Sequence, residues 1–272
     1  MAIQRHLIGG LRIRALRERV GKSQLLVEAD ADLGSGYLQR IEVGKVRQPT
    51  RTTLERILAA LNARFSEQRD ILELYGYTVA ITLPSEDDIR WARAACASEL
   101  HGAPLPAYLL DCGHRLLDWN AYLAQVFNHE SSEAGLAVLT GRCILYAWFA
   151  PEHWLASRIV NQTAFLRAVT RFLRHEQWIL QAEDWYNEHT ATIRADLPTF
   201  ASYWDQALDH EAYALAGRVL VPVQVAVPGV GVLQFRLASE TFTQDNRFRL
   251  VYYLPADEKT MQQCVVWMKE QG

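Results

Sequence analysis

The chain has 272 residues, 50% of them hydrophobic and 22% charged, with a formal net charge of −3. That length makes two domains the default, and the apolar content is ample for real cores. No run approaches the roughly 20 apolar residues that a membrane helix needs, and "MAIQRHLIGG" lacks a secretory pattern, so a cytoplasmic chain without membrane insertion is expected. Cys96, Cys112, Cys143 and Cys264 lie far apart, with no CxxC or Cys/His spacing. They imply neither a disulfide frame nor a zinc site, and reduced, buried thiols are expected.

The total charge hides an asymmetry. Met1 to Phe65 carry 12 Lys plus Arg against 6 Asp plus Glu, net +6, which leaves 16 against 25, net −9, for the remainder. Such a basic head attracts polyanions through a sequence-independent term, whereas the acidic body is repelled by them.

In chain order, Ile13, Leu16 and Val20 recur at helical spacing between Leu7 and Val20, with Arg12, Arg14, Arg17 and Arg19 on the other sides. Gly21 stops this helix and Ser23 caps the next, which turns inward Val27 and Ala31. A turn is expected at Asp32 to Gly34, with Asp32 tolerant of positive φ. A third helix is expected from Ser35 to Val43, closed by Gly44 in the left-handed conformation. Glu28, Asp30 and Asp32 place three acids in this hairpin, and a carboxylate half-buried there would require a partner such as a nearby arginine. Thr50 caps a fourth helix, and a fifth follows from Ser66.

These segments carry a pattern. Ile13, Arg14, Leu16, Arg17, Glu18, Gly21, Ser23 and Gln24 nearly reproduce "LRxLRExxGxSQ", and "GSGYLQRIEVGKVRQP" follows "SxxYLxRIExGKxxxP" except for Gly34. The segment resembles the Cro and phage-repressor helix-turn-helix family, often called XRE-like, over roughly residues 7 to 62. Gly34 stands where that family usually has its capping serine, and glycine is an acceptable though weaker cap. That resemblance implies that the third helix enters the major groove of double-stranded DNA while the second crosses the backbone. Carried over by position, Ser35, Gly36, Gln39 and Arg40 face the groove, Gln24 meets a phosphate, and Lys45 and Arg47 clamp the backbone. Arg40 suits guanine, and Gln39 suits adenine or a phosphate.

Further along, "YTVAITLP" reads as an extended connection, and Ser85 with Asp88 opens a helix with a capping box. "AYLLD" and "RLLDW" form a hairpin around Cys112, Gly113 and His114, and Asn120 caps a helix through Phe127. Helical stripes such as Phe165, Val169 and Phe172 fill residues 151 to 209. From Gly217 the period falls to two in "RVLVPVQVAV", "GVLQFRLASE" and "FRLVYYLPA", and a last helix follows. Two strands, a block of helices and three strands give an α+β fold with an antiparallel sheet. The expected division is a helix-turn-helix domain over 1–76, a linker and connecting helix over 77–103, and an α+β domain over 104–272.

"PAYLLDCGHRLLDWNAYLAQVF", "TFASYWDQ" and the closing strands ending in "YYLPADE" resemble the PAS-like ligand-binding domain of MmyB-like regulators. The resemblance implies capture of a small apolar or amphipathic ligand, such as a fatty acid, that alters DNA binding. The large aromatics suit an apolar pocket, and Trp119, Trp148, Trp154 and Phe165 are its candidates, although such stripes are more often core.

No pattern of catalysis emerges. "GSG" at Gly34 lacks the Lys-Ser/Thr of a phosphate loop, "VPGVGVL" reads as a strand-to-strand turn, and His210 beside Glu211 reads as loop surface. A homodimeric DNA-binding regulator is therefore expected. The alternatives are an antitoxin-like or scaffold module that uses the hairpin for a protein partner, and a PAS-like domain that turns over a lipid.

Overall fold

The computed structural model describes residues 5–127, 132–207 and 221–271. The chain divides into two units, Met1–Ala80 with Thr243–Asn246, and Ile81–Phe242 with Arg247–Gly272. His210, Glu211 and the start of the first closing strand at 217–220 lie outside the described residues.

The first unit is helical: α1 (Arg5–Arg19), α2 (Gln24–Asp30), α3 (Tyr37–Glu42), α4 (Arg51–Ala60) and α5 (Phe65–Leu74). Ile13, Val27, Leu38, Ile41, Leu54, Ile57 and Leu58 are fully buried at its centre, which is the apolar stripe of each helix turned inward. Gly10 permits the close packing of α1 on α3, since a Cβ there would collide with the Ile41 carbonyl oxygen. The expected stops hold: Gly44 adopts φ 72° and Asp32 φ 51°. Ser23 Oγ accepts the Leu26 N–H and Thr50 Oγ1 accepts the Thr53 N–H, each at 3.2 Å. Residues 77–85 form no helix or strand.

One expectation is corrected. Gly34 does not cap α3, which starts two residues beyond the expected Ser35, with Gly36 as its N-cap at φ 76°. That backbone is outside the helical region, so the helix cannot begin earlier.

The second unit opens with α6 (Glu86–Gly102), whose capping box pairs Ser85 with Asp88 as expected. Strands β1 (Ala107–Asp111), β2 (Leu116–Trp119), β3 (Val223–Val227), β4 (Gly231–Thr241) and β5 (Phe248–Pro255) form one antiparallel sheet ordered β2-β1-β5-β4-β3. Between β2 and β3 lie α7 (Ala121–Val126), α8 (Ser132–Ala137), α9 (Ile144–Phe149), α10 (Gln162–Glu176), α11 (Asp184–Asp196) and α12 (Pro198–Gln206). The last helix is α13 (Glu258–Gln271).

Both faces of the sheet are covered at its centre. Ala107, Leu109, Phe248 and Leu250 pack with Ile89, Ala92 and Cys96 of α6. Tyr108, Leu110, Val251 and Tyr253 pack with the helical block, including Trp148, Phe165 and Val169. This double burial explains why β1 is buried at every residue and reads as an apolar run rather than a strict alternation. The four cysteines are free and buried.

Candidate nucleic-acid interface and apolar cavity

Glu28 is buried at 4% exposure, and its partner is backbone rather than the arginine expected. Its Oε2 accepts the Gly36 N–H at 3.1 Å and its Oε1 accepts the Leu38 N–H at 2.8 Å. Helix starts leave N–H groups without intrahelical partners, and Gly36 has no side chain to satisfy them. The carboxylate from α2 therefore caps α3 and also lies at the positive end of its dipole.

A second buried acid joins three helices. Glu42, at the end of α3, accepts from Arg17 Nε at 2.7 Å, from Arg17 Nη2 at 3.1 Å and from Gln24 Nε2 at 2.7 Å. Arg17 also donates to the Lys22 carbonyl at 3.0 Å, and its pKa is raised, first by the hydrogen bond to Glu42. Gln24 is thereby held at the first turn of α2.

With those two acids engaged below it, α3 turns Gln39 and Arg40 outward, while Leu38, Ile41 and Glu42 are buried. Ser35 is exposed in the turn, Gly36 is half-buried, and Lys45 and Arg47 are exposed past the helix. The Arg40 guanidinium carbon lies 6.0 Å from the Tyr37 ring centroid, a cation–π distance that favours one direction for the side chain.

The ion pairs of this unit decide where its positive charge is available. Arg12, Arg14, Arg17, Arg19, Lys22, Arg51 and Arg56 each hold a carboxylate. Among the described residues, Arg5, Arg40, Lys45 and Arg47 hold none, and the last three follow one another at and just beyond α3.

The second unit contains a cavity between the sheet and the helical block, lined by Tyr108, Leu110, His114, Ile144, Leu145, Trp148, Val169, Phe172, Leu173, Leu237, Ala238, Ser239, Arg249 and Val251. Its empty space is ≈ 470 Å³ with the mouth included, of which ≈ 40 Å³ is open to the centre of a water molecule. That exceeds the ~10–15 Å³ that a single water needs but is far short of a chamber, so the space is a small slot.

Four polar side chains, Tyr108, His114, Ser239 and Arg249, stand in this wall, two of them ionisable near neutral pH or charged. His114 is buried, and its Nε2 lies 2.9 Å from Gln177 Oε1. Gln177 Nε2 donates to the Cys112 carbonyl at 3.1 Å, which directs Oε1 at the ring and makes Nε2 the protonated nitrogen. Burial, together with the charge of Arg249, lowers the His114 pKa to about 3, so the ring is neutral. Arg249 is buried and paired with Glu176.

Of the four aromatic candidates, Trp148 lines the cavity. Phe165 packs edge-on against Trp148 at 5.8 Å, Trp154 against Phe127 at 6.3 Å, and Trp119 is a half-buried residue of the same core. These three are not lining residues of this cavity. Sequence reasoning missed His114 and Arg249 as wall residues. The signal for Arg249 was present, because a charge interrupts "FRLVYYLPA" in phase with Val251 and Tyr253.

A family model described as the MmyB-like transcription regulator ligand binding domain matches residues 93–264, and one described as a helix-turn-helix domain matches residues 10–76. No curated protein matches. A solved structure described as that of an RNA-binding Light-Oxygen-Voltage Receptor shares 9% identity, with 95% of this chain and 66% of that chain covered. The TM-score of 0.24 is too low to carry an argument, and this chain spans 66% of that one's length.

Proposed function

Because this chain belongs to the MmyB-like transcription regulators and carries a helix-turn-helix head, we propose how it binds and senses. Arg40 and Gln39 read base edges, Lys45 and Arg47 hold phosphates, and the slot of the second unit takes a small apolar or amphipathic molecule of the fatty acid class. The observation that carries the DNA reading is the run of carboxylate-free cations at Arg40, Lys45 and Arg47, in a unit whose other arginines are largely neutralised. Ser35 and Gly36 bring the backbone close to the groove and contribute little base readout. Gln24 offers its remaining amide N–H to a phosphate.

The ligand reading is supported by the largely apolar wall of the slot, which suits an alkyl chain. A homodimer in the cytoplasm would present two α3 helices to major-groove faces about 34 Å apart. Ligand then acts through unequal affinity for two arrangements of that dimer.

The test is a pair of substitutions on duplexes selected from a random pool. Arg40→Ala is expected to weaken discrimination at one base pair by about 1–3 kcal/mol, whereas Lys45→Ala lowers affinity evenly and flattens the salt slope by about one. DNA binding indifferent to both changes would overturn the assignment. A protein partner at the hairpin is the second reading, favoured by Leu25 at 70% and Leu26 at 48% exposure on α2. Such a contact has little of the steep salt dependence of phosphate binding, so one salt titration separates the two.

A further inference from the structure

Resting on the reading of this cavity as a ligand site, we infer that Arg249 anchors an anionic ligand head and that Glu176 is the internal carboxylate which that head displaces. Arg249 stands on β5 between Phe248 and Leu250, which both pack toward α6. Its own side chain is 9% exposed and lines the apolar slot on the opposite face. Its carboxylate partner among the described residues is Glu176, from 73 residues earlier in the chain. Glu176 does not line the slot, and its side chain is 24% exposed.

Glu176 is the last residue of α10. An acid there opposes the helix dipole, which favours cations in the last turn. Arg249 is therefore what holds Glu176 in place, and water offers the carboxylate a ready alternative. Among the described residues the wall presents no second cation to a ligand, because His114 is fixed as a neutral Nε2–H tautomer by Gln177.

The slot accordingly has an apolar bore and one buried positive group. A carboxylate head arriving at Arg249 replaces the carboxylate already there, and Glu176 moves into solvent. Arg249 is paired before and after the exchange, which offsets the cost of burying the ligand's charge. An uncharged head of equal length leaves the Arg249–Glu176 pair intact and gains only the burial of its chain. Discrimination between acid and alcohol thus resides in this ion pair, and ligand occupancy is coupled to the release of the end of α10.

Calorimetric titration of the full chain with decanoate and with decanol tests this. Wild-type protein is expected to prefer decanoate by about tenfold or more, as charge-assisted hydrogen bonds warrant. Glu176→Gln removes the competitor and should widen the ratio of the two affinities by about another tenfold, whereas Arg249→Met should collapse it to near one. A merely structural role for either residue would move both ligands by the same factor and leave the ratio unchanged, which overturns the inference. If Arg249→Met does not fold, the wild-type ratio and Glu176→Gln decide the matter. Equal binding of decanol and decanoate to wild-type protein would defeat this inference alone. Failure of both to bind would defeat the ligand-site reading beneath it, and the inference with it.

Discussion

Glu28 shows how one side chain connects two helices. Glu28→Ala leaves the Leu38 N–H buried without an acceptor, and loss of such a cap costs about 2 kcal/mol. Hydrogen–deuterium exchange across α3 should then accelerate by about thirtyfold, if the loss is confined to local opening of that helix. Glu42 is more demanding, because Arg17→Ala strands a carboxylate of 3% exposure; uncompensated charges of this kind destabilise by about 3–5 kcal/mol. Arg14→Ala, at the exposed Arg14–Glu18 pair, should leave the melting temperature unchanged, so the two melting curves discriminate burial from pairing. His114 has a folded pKa of about 3 against an ordinary value of 6.5. The unfolded chain therefore binds the proton more readily between those values, and stability is lost as pH falls through that window. The slope from this residue approaches about 1.4 kcal/mol per pH unit. His114→Asn, which tolerates the residue's φ of 61°, should remove that contribution in acid titrations of urea unfolding.

At the level of elements, the parts legible in the sequence are those governed by near neighbours. Gly44 and Asp32 were readable as left-handed positions, Ser23, Thr50, Ser85 and Asn120 as caps, and "VPGVGVL" as the turn between β3 and β4. The start of α3 was not, because its cap comes from another helix eight residues earlier. A local reading sees only a serine flanked by glycines and places the helix too early. The cavity wall was hidden for the same reason on a longer scale, since Arg249 and Glu176, like His114 and Gln177, meet only when the sheet and α10 are assembled. Aromatic content marked the helical block correctly, but size alone does not separate core from wall: Trp148 reaches the slot and Phe165 lies behind it. Packing of α1 on α3 supplies a further check. Gly10→Ala drives a methyl into the Ile41 carbonyl, and overpacking of this kind costs about 1–3 kcal/mol, which should lower helix content at a given urea concentration.

For the whole molecule, the basic head and acidic body act in opposite senses on DNA, and only part of the head's charge is available. On the proposed roles, Lys45 and Arg47 neutralise about two phosphates per head, so the two heads of the proposed dimer should give a salt slope of about −4. Footprints on a dimer's operator should fall on two half-sites about 10 base pairs apart, and a single protected half-site would argue for a monomer. No helix among the described residues is long and apolar enough to cross a membrane. The burial pattern of α3 has a consequence for descent as well as for binding. Leu38, Ile41 and Glu42 hold the fold, whereas Gln39 and Arg40 are exposed, Arg40 touching only the ring of Tyr37 on its own helix. If α3 reads DNA as proposed, duplicate copies of such a gene can part company in the sites they recognise through two adjacent codons, with no compensating change in the buried core.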